Sequence, residues 1–439
     1  MRTRDAVLTS FDGTECQQGK LARPERYRDL IDLVGSGINF IPRGAGLSYS
    51  AASMADGTMS MDMTRFDRLL SFNPETGDVV VEPGITVGAL TDFLASRGFS
   101  LPVVPGYPDI TVGGCVAFDV HGKSQFHSGN FGQWVTEIRL FHPAHGELTC
   151  NPTLEHAVFD LTLGGMGLTG LVTRVALRTI RLGGRAVELS AVAVDDLGQA
   201  SQLMQARADN VDCLYSWHNL NRRGRRFGAG VVFLERYVDG PPPKYTTRRR
   251  RFAMGRHFPA PLWNRVTTSL ALSIYERLQG RGRSRVLALH PALFPIEGLE
   301  GYYAAFGRRG FREAQLIVPF AEWSHFVEGM ERTLERISVP VTLCSLKLFK
   351  GGDRYLSFTG SGICLALDVP ATPAALAFFS ELDRLAVLHG ARVNLSKDSR
   401  VSEDLCRRIF PQYETFRSEL RHFDPQSRVR SRLRDRIGV

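Results

Sequence analysis

The stretch that decides the fold is residues 103–132, VVPGYPDITVGGCVAFDVHGKSQFHSGNFG. It contains two adjacent glycines, Gly113 and Gly114, and a histidine and a lysine two positions apart, His121 and Lys123. Glycines at this density let backbone N–H groups approach a phosphate or a planar ring without an intervening Cβ atom. A His and a Lys beside such a surface can act on whatever is bound there. We therefore expect this stretch to form the floor of a cofactor site.

Two more glycine-rich segments lie on either side of this stretch. Residues 43–49, RGAGLSY, follow a predicted strand, and residues 163–172, LGGMGLTGLV, run into another. The first segment is not a dinucleotide fingerprint, because the third glycine is absent and no clear amphipathic helix follows. Taken alone it is equally well explained as a plain loop. Together the three segments predict an extended backbone cradle for a long, phosphate-bearing molecule.

Composition limits the class of protein. A chain of 439 residues is long enough for two or three structural units. Its 43% hydrophobic and 23% charged residues are ordinary for a folded soluble protein. The seven cysteines are scattered without a CxxC pair, which argues against a disulfide framework or a zinc site. We expect no metal and a reducing compartment.

Charge and hydropathy bear on location. The net charge of +9 favours an anionic partner. The start, MRTRDAVLTSFDG, has no signal-peptide apolar core, and no apolar run reaches the ~18 residues that a membrane span needs. We expect a protein that is soluble or lies on a membrane surface, cytoplasmic or associated with the inner face of the membrane.

The second half of the chain has a regular pattern. Strands are predicted at 314–318, 341–349 and 362–369, with a helix at 320–337. A further helix should begin after Thr372, with Pro373 at its first position and Gly390 past its end. This order predicts an antiparallel sheet with helices on one face.

Six motifs now carry a resemblance. They are PRGAGLSY (42–49), EPGITVGAL (82–90), PGYPDITVGGCVAFDVHGKS (105–124), GGMGLTGLV (164–172), LKLF (346–349) and SKDSR (396–400). This set resembles the vanillyl-alcohol-oxidase (PCMH) type of FAD-binding oxidoreductases. The match is dense over 40–180 and 310–400 and weak over 184–300. The resemblance implies an α+β fold, with a two-lobed FAD-binding domain (1–183 and 395–439) and an inserted antiparallel-sheet substrate domain (184–394).

The resemblance also implies which residues hold FAD. They belong to the three glycine-rich segments: Arg43, Gly44, Ala45, Gly46, Leu47, Ser48, Tyr49, Pro105, Gly106, Thr111, Val112, Gly113, Gly114, Val116, Ala117, His121, Gly122, Lys123, Ser128, Gly129, Phe131, Gly132, Gly167, Gly170 and Val172. Many relatives attach FAD covalently through a His in the first loop. Leu47 occupies that place here, so non-covalent FAD is expected.

Four side chains are expected to do the chemistry. Oxidising a secondary alcohol requires removal of the hydroxyl proton and transfer of a hydride, and a fixed cation stabilises the negative charge that develops. Lys397 matches the active-site lysine of the family, with a surface Lys paired to Asp398 as the alternative. His121 is a base or hydrogen-bond partner, or else a structural histidine. Lys347 and Gln315 match residues that face the substrate. The alternative for Lys347 is a solvent-exposed strand edge, and for Gln315 it is a strand edge or the core.

Lys347 also stands out without the resemblance. It interrupts the apolar strand 346–349, and a buried Lys there must reach water or an anion, because an unpaired buried charge is costly. Two further residues, Trp217 and Asn394, match substrate positions. The pattern there departs from that of the most similar branch, in which an aromatic residue stands at the position of Asn394 and a Trp-x-Asp pattern stands in place of Trp217-His218-Asn219. These differences concern the sugar and its carrier, not FAD binding.

The most similar branch oxidises the 2′-hydroxyl of a polyprenylphosphoryl-β-D-ribose, the first half of an epimerisation to arabinose. A separate NAD(P)H-dependent ketoreductase would complete that epimerisation, since no nicotinamide site is evident here. The first alternative is an FAD oxidase or dehydrogenase of a soluble polyol or aldonolactone, acting on a free sugar. The second is a basic binding protein without flavin.

The basic middle of the chain supports two interpretations. Lys244, the arginines at 248–251 and Arg256 suit an anionic membrane that presents a lipid-linked substrate, or they form a solvated loop. Nucleic-acid binding has the right charge but no recognised fold or aromatic platform, so we expect no nucleic-acid partner.

Overall fold

A computed structural model describes residues 2–184, 186–244, 258, 260–279 and 284–439. The arginines at 248–251 and Arg256 lie outside these residues. The strands are β1 Arg2–Thr9, β2 Cys16–Arg23, β3 Phe40–Arg43, β4 Met59–Asp62, β5 Leu69–Phe72, β6 Val79–Val81, β7 Phe99–Ser100, β8 Val135–His142, β9 Gly146–Cys150, β10 Leu171–Leu177, β11 Ile180–Arg181, β12 Ala186–Val194, β13 Cys213–Asn219, β14 Ala229–Val238, β15 Arg285–Ala288, β16 Phe311–Val318, β17 Leu343–Phe349, β18 Gly362–Pro370 and β19 Arg392–Val393.

The α-helices alternate with these strands. They are α1 Tyr27–Gly35, α2 Val87–Ala95, α3 Val112–Phe118, α4 Gln125–Ser128, α5 His156–Thr162, α6 Leu197–Arg207, α7 Arg265–Gln279, α8 Leu289–Leu293, α9 Glu300–Ala304, α10 Trp323–Arg336, α11 Pro373–Leu388, α12 Glu403–Ile409, α13 Tyr413–Phe423 and α14 Arg432–Ile437. None of the described helices is long and apolar enough to cross a membrane.

The first lobe is built from both ends of the chain. Its sheets have the orders β1-β2-β4-β3 and β5-β6-β10-β8-β9, with β7 and β11 as a separate pair. The C-terminal segment returns to this lobe, where Val429 forms a bridge with Phe40. The Arg428 guanidinium donates to the Ile38 carbonyl at 2.6 Å. The last part of the chain therefore completes the lobe that the first part begins.

The second lobe is an eight-stranded sheet of order β15-β12-β14-β13-β17-β18-β16-β19, in which every recorded pairing is antiparallel. This confirms the predicted antiparallel sheet. The helix predicted after Thr372 is α11, and the Thr372 hydroxyl accepts from the N–H of Ala375, as a cap should. Strand β18 is buried along its whole length, so its apolar run is that of a central strand.

The two faces of this sheet are covered differently. Along β14, Val232 and Leu234 belong to the main core, to which α6, α10 and α11 also contribute. Val231 and Phe233 point to the other face and pack with Tyr275 of α7. Successive strand residues face opposite sides of a sheet. Helices therefore cover both faces rather than the one predicted, and α7 lies on the face turned toward the first lobe.

The paired glycines Gly113 and Gly114 lie in the first turn of helix α3. The Thr111 hydroxyl accepts from the N–H of Gly114 at 3.3 Å and caps it. A Cβ on Gly113 would come within 2.9 Å of the Pro83 side chain. Gly113 is therefore required by its close packing against Pro83.

Candidate active site

A cavity of about 1210 Å³ lies between the two lobes. All three glycine-rich segments and four strands of the large sheet contribute to its wall. Of the predicted site residues, those that line it are Gly44, Ala45, Gly46, Leu47, Ser48, Tyr49, Pro105, Gly106, Thr111, Gly113, Gly114, Val116, Ala117, His121, Gly122, Lys123, Gly167, Gly170, Val172, Trp217, Gln315, Lys347, Asn394 and Lys397. The structure thus brings together residues that lie up to 353 positions apart in the chain (397 − 44).

The first glycine-rich loop presents free backbone donors. No described residue accepts a hydrogen bond from the backbone N–H groups of residues 44–48. Gly46 has φ +74°, a left-handed conformation that side-chain-bearing residues rarely adopt. Consecutive N–H groups in such a loop form a concave site for an anion. This loop therefore supplies the donors that the pyrophosphate of a dinucleotide needs.

Six predicted cofactor residues lie outside the cavity wall: Arg43, Val112, Ser128, Gly129, Phe131 and Gly132. Arg43 lies behind the first loop, where its guanidinium donates to Ser53 Oγ at 2.6 Å and occupies the space that a Gly46 Cβ would need. Phe131 is buried in the core. Gly132 donates its N–H to Asp119 Oδ1 at 2.7 Å. The segment at 128–132 therefore supports the site from behind.

Lys123 is held by an ion pair inside the protein. Its Nζ lies 2.7 and 2.8 Å from the two carboxylate oxygens of Glu235 on β14 and also donates to the Ala292 carbonyl. Burial raises the pKa of Glu235, and the ammonium of Lys123 opposes that shift. With its charge matched, Lys123 anchors the His121 loop to the large sheet and does not act as a free cation for an anionic ligand.

His121 is the meeting point of three elements. Its Nε2 lies 3.3 Å from Lys347 Nζ on β17 and 3.4 Å from Gln315 Nε2 on β16. Its ring packs against Phe349 and Phe358, with centroids 4.9 and 5.4 Å away. Burial lowers the pKa of His121 well below its usual value of 6.5, and the nearby lysine charges lower it further. His121 is therefore a neutral imidazole whose Nε2 faces polar partners.

Lys347 lies on β17 between the buried residues Leu346 and Leu348. Burial lowers its pKa below the usual value. Within the described part of the chain it has no carboxylate within ion-pair distance, and His121 is its recorded hydrogen-bond partner. A buried amine of this kind suits the oxygen of a ligand that enters the cavity.

Gln315 and Asn394 form a rigid amide pair. The Asn394 amide donates to Gln315 Oε1 at 2.6 Å, and the Asn394 backbone N–H donates to the Gln315 carbonyl at 2.9 Å. Asn394 Oδ1 in turn accepts from Ser396. The two amides thus hold each other in one orientation toward His121, which is what positioning a hydroxyl-rich ligand requires.

Lys397 lines the cavity, and its acid partner is not Asp398, with which the alternative interpretation paired it. Its Nζ lies 4.0 Å from the ring centroid of Tyr49 and 3.6 Å from Glu313 Oε2. Asp398 instead pairs with Arg400 at 2.7 Å. The role of Asp398 is therefore to fix the loop after β19, and Lys397 is a partly exposed cation at the cavity wall.

Two buried acids were missed by the sequence reasoning. Glu313 on β16 faces Asp368 on β18 across the strand pair, and both line the cavity. Burial and the Glu313 charge raise the pKa of Asp368 well above its usual value, and the Tyr302 hydroxyl donates to Asp368 at 2.8 Å. The available signal was an acid inside an otherwise apolar strand, the same signal that identified Lys347.

The far end of the cavity is aromatic and apolar. Trp217 packs against Tyr215, Phe233 and Tyr275, with centroids 5.0–5.9 Å away. Apolar residues between 258 and 305 continue this wall, among them Leu262, Trp263, Leu299 and Tyr302. The cavity therefore runs from a glycine-lined end, past a polar cluster, to an apolar end.

Comparisons with known proteins agree with this geometry. A family model described as an FAD binding domain matches residues 21–151. The decaprenylphosphoryl-beta-D-ribose oxidase of Mycolicibacterium smegmatis is 26% identical over 424 residues, which cover 92% of this chain and 90% of that protein. A Streptomyces coelicolor protein, described as an uncharacterized protein in the mprA 5' region, is 28% identical over 81% of this chain and 100% of its own length. The D-arabinono-1,4-lactone oxidase of Yarrowia lipolytica is 28% identical over 30% of this chain and 26% of its own.

The fold, the cavity and these similarities define the chain as an FAD-dependent oxidoreductase with a PCMH-type FAD binding domain. The residues present fit FAD, because the row of free N–H groups at 44–48 and the glycine-lined wall beside it accommodate a dinucleotide.

Proposed function

We propose that this protein oxidises a secondary hydroxyl of a sugar to a ketone, and that the sugar is carried as a polyprenylphosphoryl-β-D-ribose oxidised at its 2′-position. One observation carries the proposal: the polar cluster at His121 lies in a cavity with a glycine-lined end on one side and an aromatic, apolar end on the other. Such a cavity suits a ligand with a hydroxyl-rich head and a hydrocarbon tail.

Bound FAD supplies the hydride acceptor for this reaction. The protein groups bind and orient the alcohol. Neutral His121 accepts the hydroxyl proton at Nε2, since its lowered pKa keeps the imidazole neutral and leaves one ring nitrogen without a proton. Gln315, fixed by Asn394, donates to the sugar oxygens. Lys397 provides positive charge at the wall.

Lys347 binds an oxygen of the substrate next to His121. Its amine lacks an ion-pair partner among the described residues and lies 3.3 Å from His121 Nε2. The interaction then holds a substrate oxygen within reach of the base, and it aligns the hydroxyl before the proton moves.

We propose that FAD is bound non-covalently. Leu47 gives no attachment point in the first loop, and the Nε2 of His121 is engaged by Lys347 and Gln315. Denaturing the yellow protein and passing it through a size-exclusion column tests this, since the flavin should separate from the chain. Flavin that stays with the unfolded polypeptide would contradict it.

We also propose that residues 1–183 and 395–439 form the FAD-binding domain around a substrate domain at 184–394. The bridge between Val429 and Phe40 supports this division.

The product ketone would be reduced by a separate NAD(P)H-dependent ketoreductase, which completes an epimerisation to arabinose. We place the enzyme in the cytoplasm, at the inner face of the membrane.

The experiment is an anaerobic bleaching panel. Purified protein loaded with FAD is mixed with a polyprenylphosphoryl ribose, with free ribose and with aldonolactones, and the loss of flavin absorbance is followed. The lipid-linked ribose should bleach it fastest. Faster bleaching by a free aldonolactone would favour an oxidase of soluble sugars, and Lys397→Ala bleaching as fast as the wild type would remove Lys397 from the mechanism.

A further inference from the structure

Helix α7 carries four apolar side chains on the face turned away from the sheet. Val266, Leu270, Ile274 and Leu278 recur every four residues, and each is at least half exposed. Residues four apart lie on the same side of a helix, so these side chains form one continuous strip, here called the α7 stripe. An exposed strip of this kind usually marks a contact surface.

The same helix closes the cavity. Leu272 and Tyr275, on its inner side, line the cavity wall. Thr267 and Ala271 also line it and are exposed, and on a helical wheel they fall at the edge of the α7 stripe. The stripe therefore borders the apolar end of the cavity and is continuous with the wall there.

Positive charge surrounds the α7 stripe. Within residues 265–279 the single acid is Glu276, and Arg222 and Arg226 hold it at 2.8 and 2.7 Å. Arg277 is exposed beside Leu278, and Arg223 and Arg225 are exposed in the adjacent loop.

We propose that the α7 stripe docks on the surface of an anionic lipid bilayer. An apolar helix face with a cationic rim suits the plane of a membrane interface, where its apolar side chains enter the acyl boundary and its arginines meet anionic headgroups. A second copy of this chain fits less well, since a two-fold contact would bring the same cationic rim against itself. Docking in this way points the apolar end of the cavity at the bilayer.

This inference rests on the proposed function and deepens it, because a lipid-linked substrate must be reached from the membrane. Its test is vesicle co-sedimentation of the full chain loaded with FAD. We expect binding to vesicles of equal parts phosphatidylglycerol and phosphatidylcholine, and weaker binding to phosphatidylcholine alone. The double variant Leu270→Gln with Ile274→Gln should lower the affinity for anionic vesicles about tenfold or more.

The matched control is Leu388→Gln on α11, because Leu388 is 65% exposed and Leu270 is 61% exposed. The control should bind as the wild type does. Neither Leu270 nor Ile274 lines the cavity, so bleaching by a short-chain, water-soluble ribose phosphate should be unchanged in the double variant, which also shows that it is folded.

Three results would overturn the inference: a wild type that binds neither kind of vesicle, a double variant that binds anionic vesicles as the wild type does, or a wild-type dimer that the double variant converts to a monomer. The last would make a second copy the occupant. Bleaching by the lipid-linked ribose in detergent micelles is scored separately. If it persists without vesicle binding, the inference fails and the proposed function stands; if vesicle binding persists without bleaching, the proposed function fails.

Discussion

Glu313 and Asp368 face each other across two antiparallel strands, both buried, at the cavity wall next to Lys397. Burial and the Glu313 charge raise the pKa of Asp368 well above its usual value, because two neighbouring carboxyl groups cannot both be charged at low cost. Lys397 balances the charge left on Glu313, at 3.6 Å. The three groups form one electrostatic unit.

The first prediction concerns the pH dependence of stability. The folded pKa of Asp368 lies above 3.8, its usual value. The folded state then keeps a proton that the unfolded chain releases, so the free energy of unfolding falls as pH rises from about 4 through the folded pKa. Asp368→Asn keeps the site neutral and should flatten this fall, as measured by urea unfolding across that range.

Asp56→Asn is the control, because Asp56 is exposed. This substitution should leave the slope of the free energy of unfolding against pH unchanged. A slope in Asp368→Asn equal to that of the wild type would show that Asp368 does not hold the proton.

The second prediction concerns the buried pair of Lys123 and Glu235. Lys123→Met leaves the Glu235 carboxyl buried without its partner, which should lower the free energy of unfolding by about 3–5 kcal/mol. Replacing both, as Lys123→Met with Glu235→Leu, should recover much of that loss. The exposed pair Arg332 and Glu328 is the control, and Arg332→Met should cost less than about 1 kcal/mol.

Denaturant unfolding at neutral pH measures all of these variants. If the double variant were as unstable as Lys123→Met alone, the loss would come from packing at position 123 and not from the uncompensated acid.

The third prediction concerns cofactor retention. Gly46 has φ +74° and its Cβ would collide with Arg43, so Gly46→Ala should distort the row of N–H donors and weaken FAD binding. Gly57→Ala has nearly the same strain, at φ +66°, but an open space for its Cβ. Both variants should lose about 1 kcal/mol of stability.

After dialysis, the ratio of flavin absorbance to protein absorbance should fall for Gly46→Ala and stay at the wild-type value for Gly57→Ala. Equal retention in the two variants would exclude the first loop as a pyrophosphate site.

The fourth prediction concerns His121. His121→Gln should retain FAD and slow anaerobic bleaching by the sugar about 100-fold, because a positioned base typically contributes that much. Since the pKa of His121 is lowered, the wild-type rate should show no acid limb near 6.5. Such a limb, or a His121→Gln variant as fast as the wild type, would contradict the assignment. Replacing the exposed His156 by Gln should change neither quantity.

The sequence by itself determined the local parts of the cofactor site. Glycines at 44, 46, 113, 122 and 170 can be read as backbone signals, because only glycine permits such conformations and approaches. The apolar strand around Lys347 likewise predicted a lysine that must reach water or an anion, since an unpaired charge in such a strand is costly.

Tertiary structure alone decided which acid each lysine of the cavity pairs with. Lys123 and Lys397 look alike in sequence, yet the first is matched by Glu235, 112 positions away, and the second by Glu313 beside Asp368. Strand order and register bring these acids next to the lysines. No local sequence pattern encodes the strand order or the register. The electrostatics of the cavity therefore depend on pairings between distant strands, because Coulomb interactions follow distance in space and not separation along the chain.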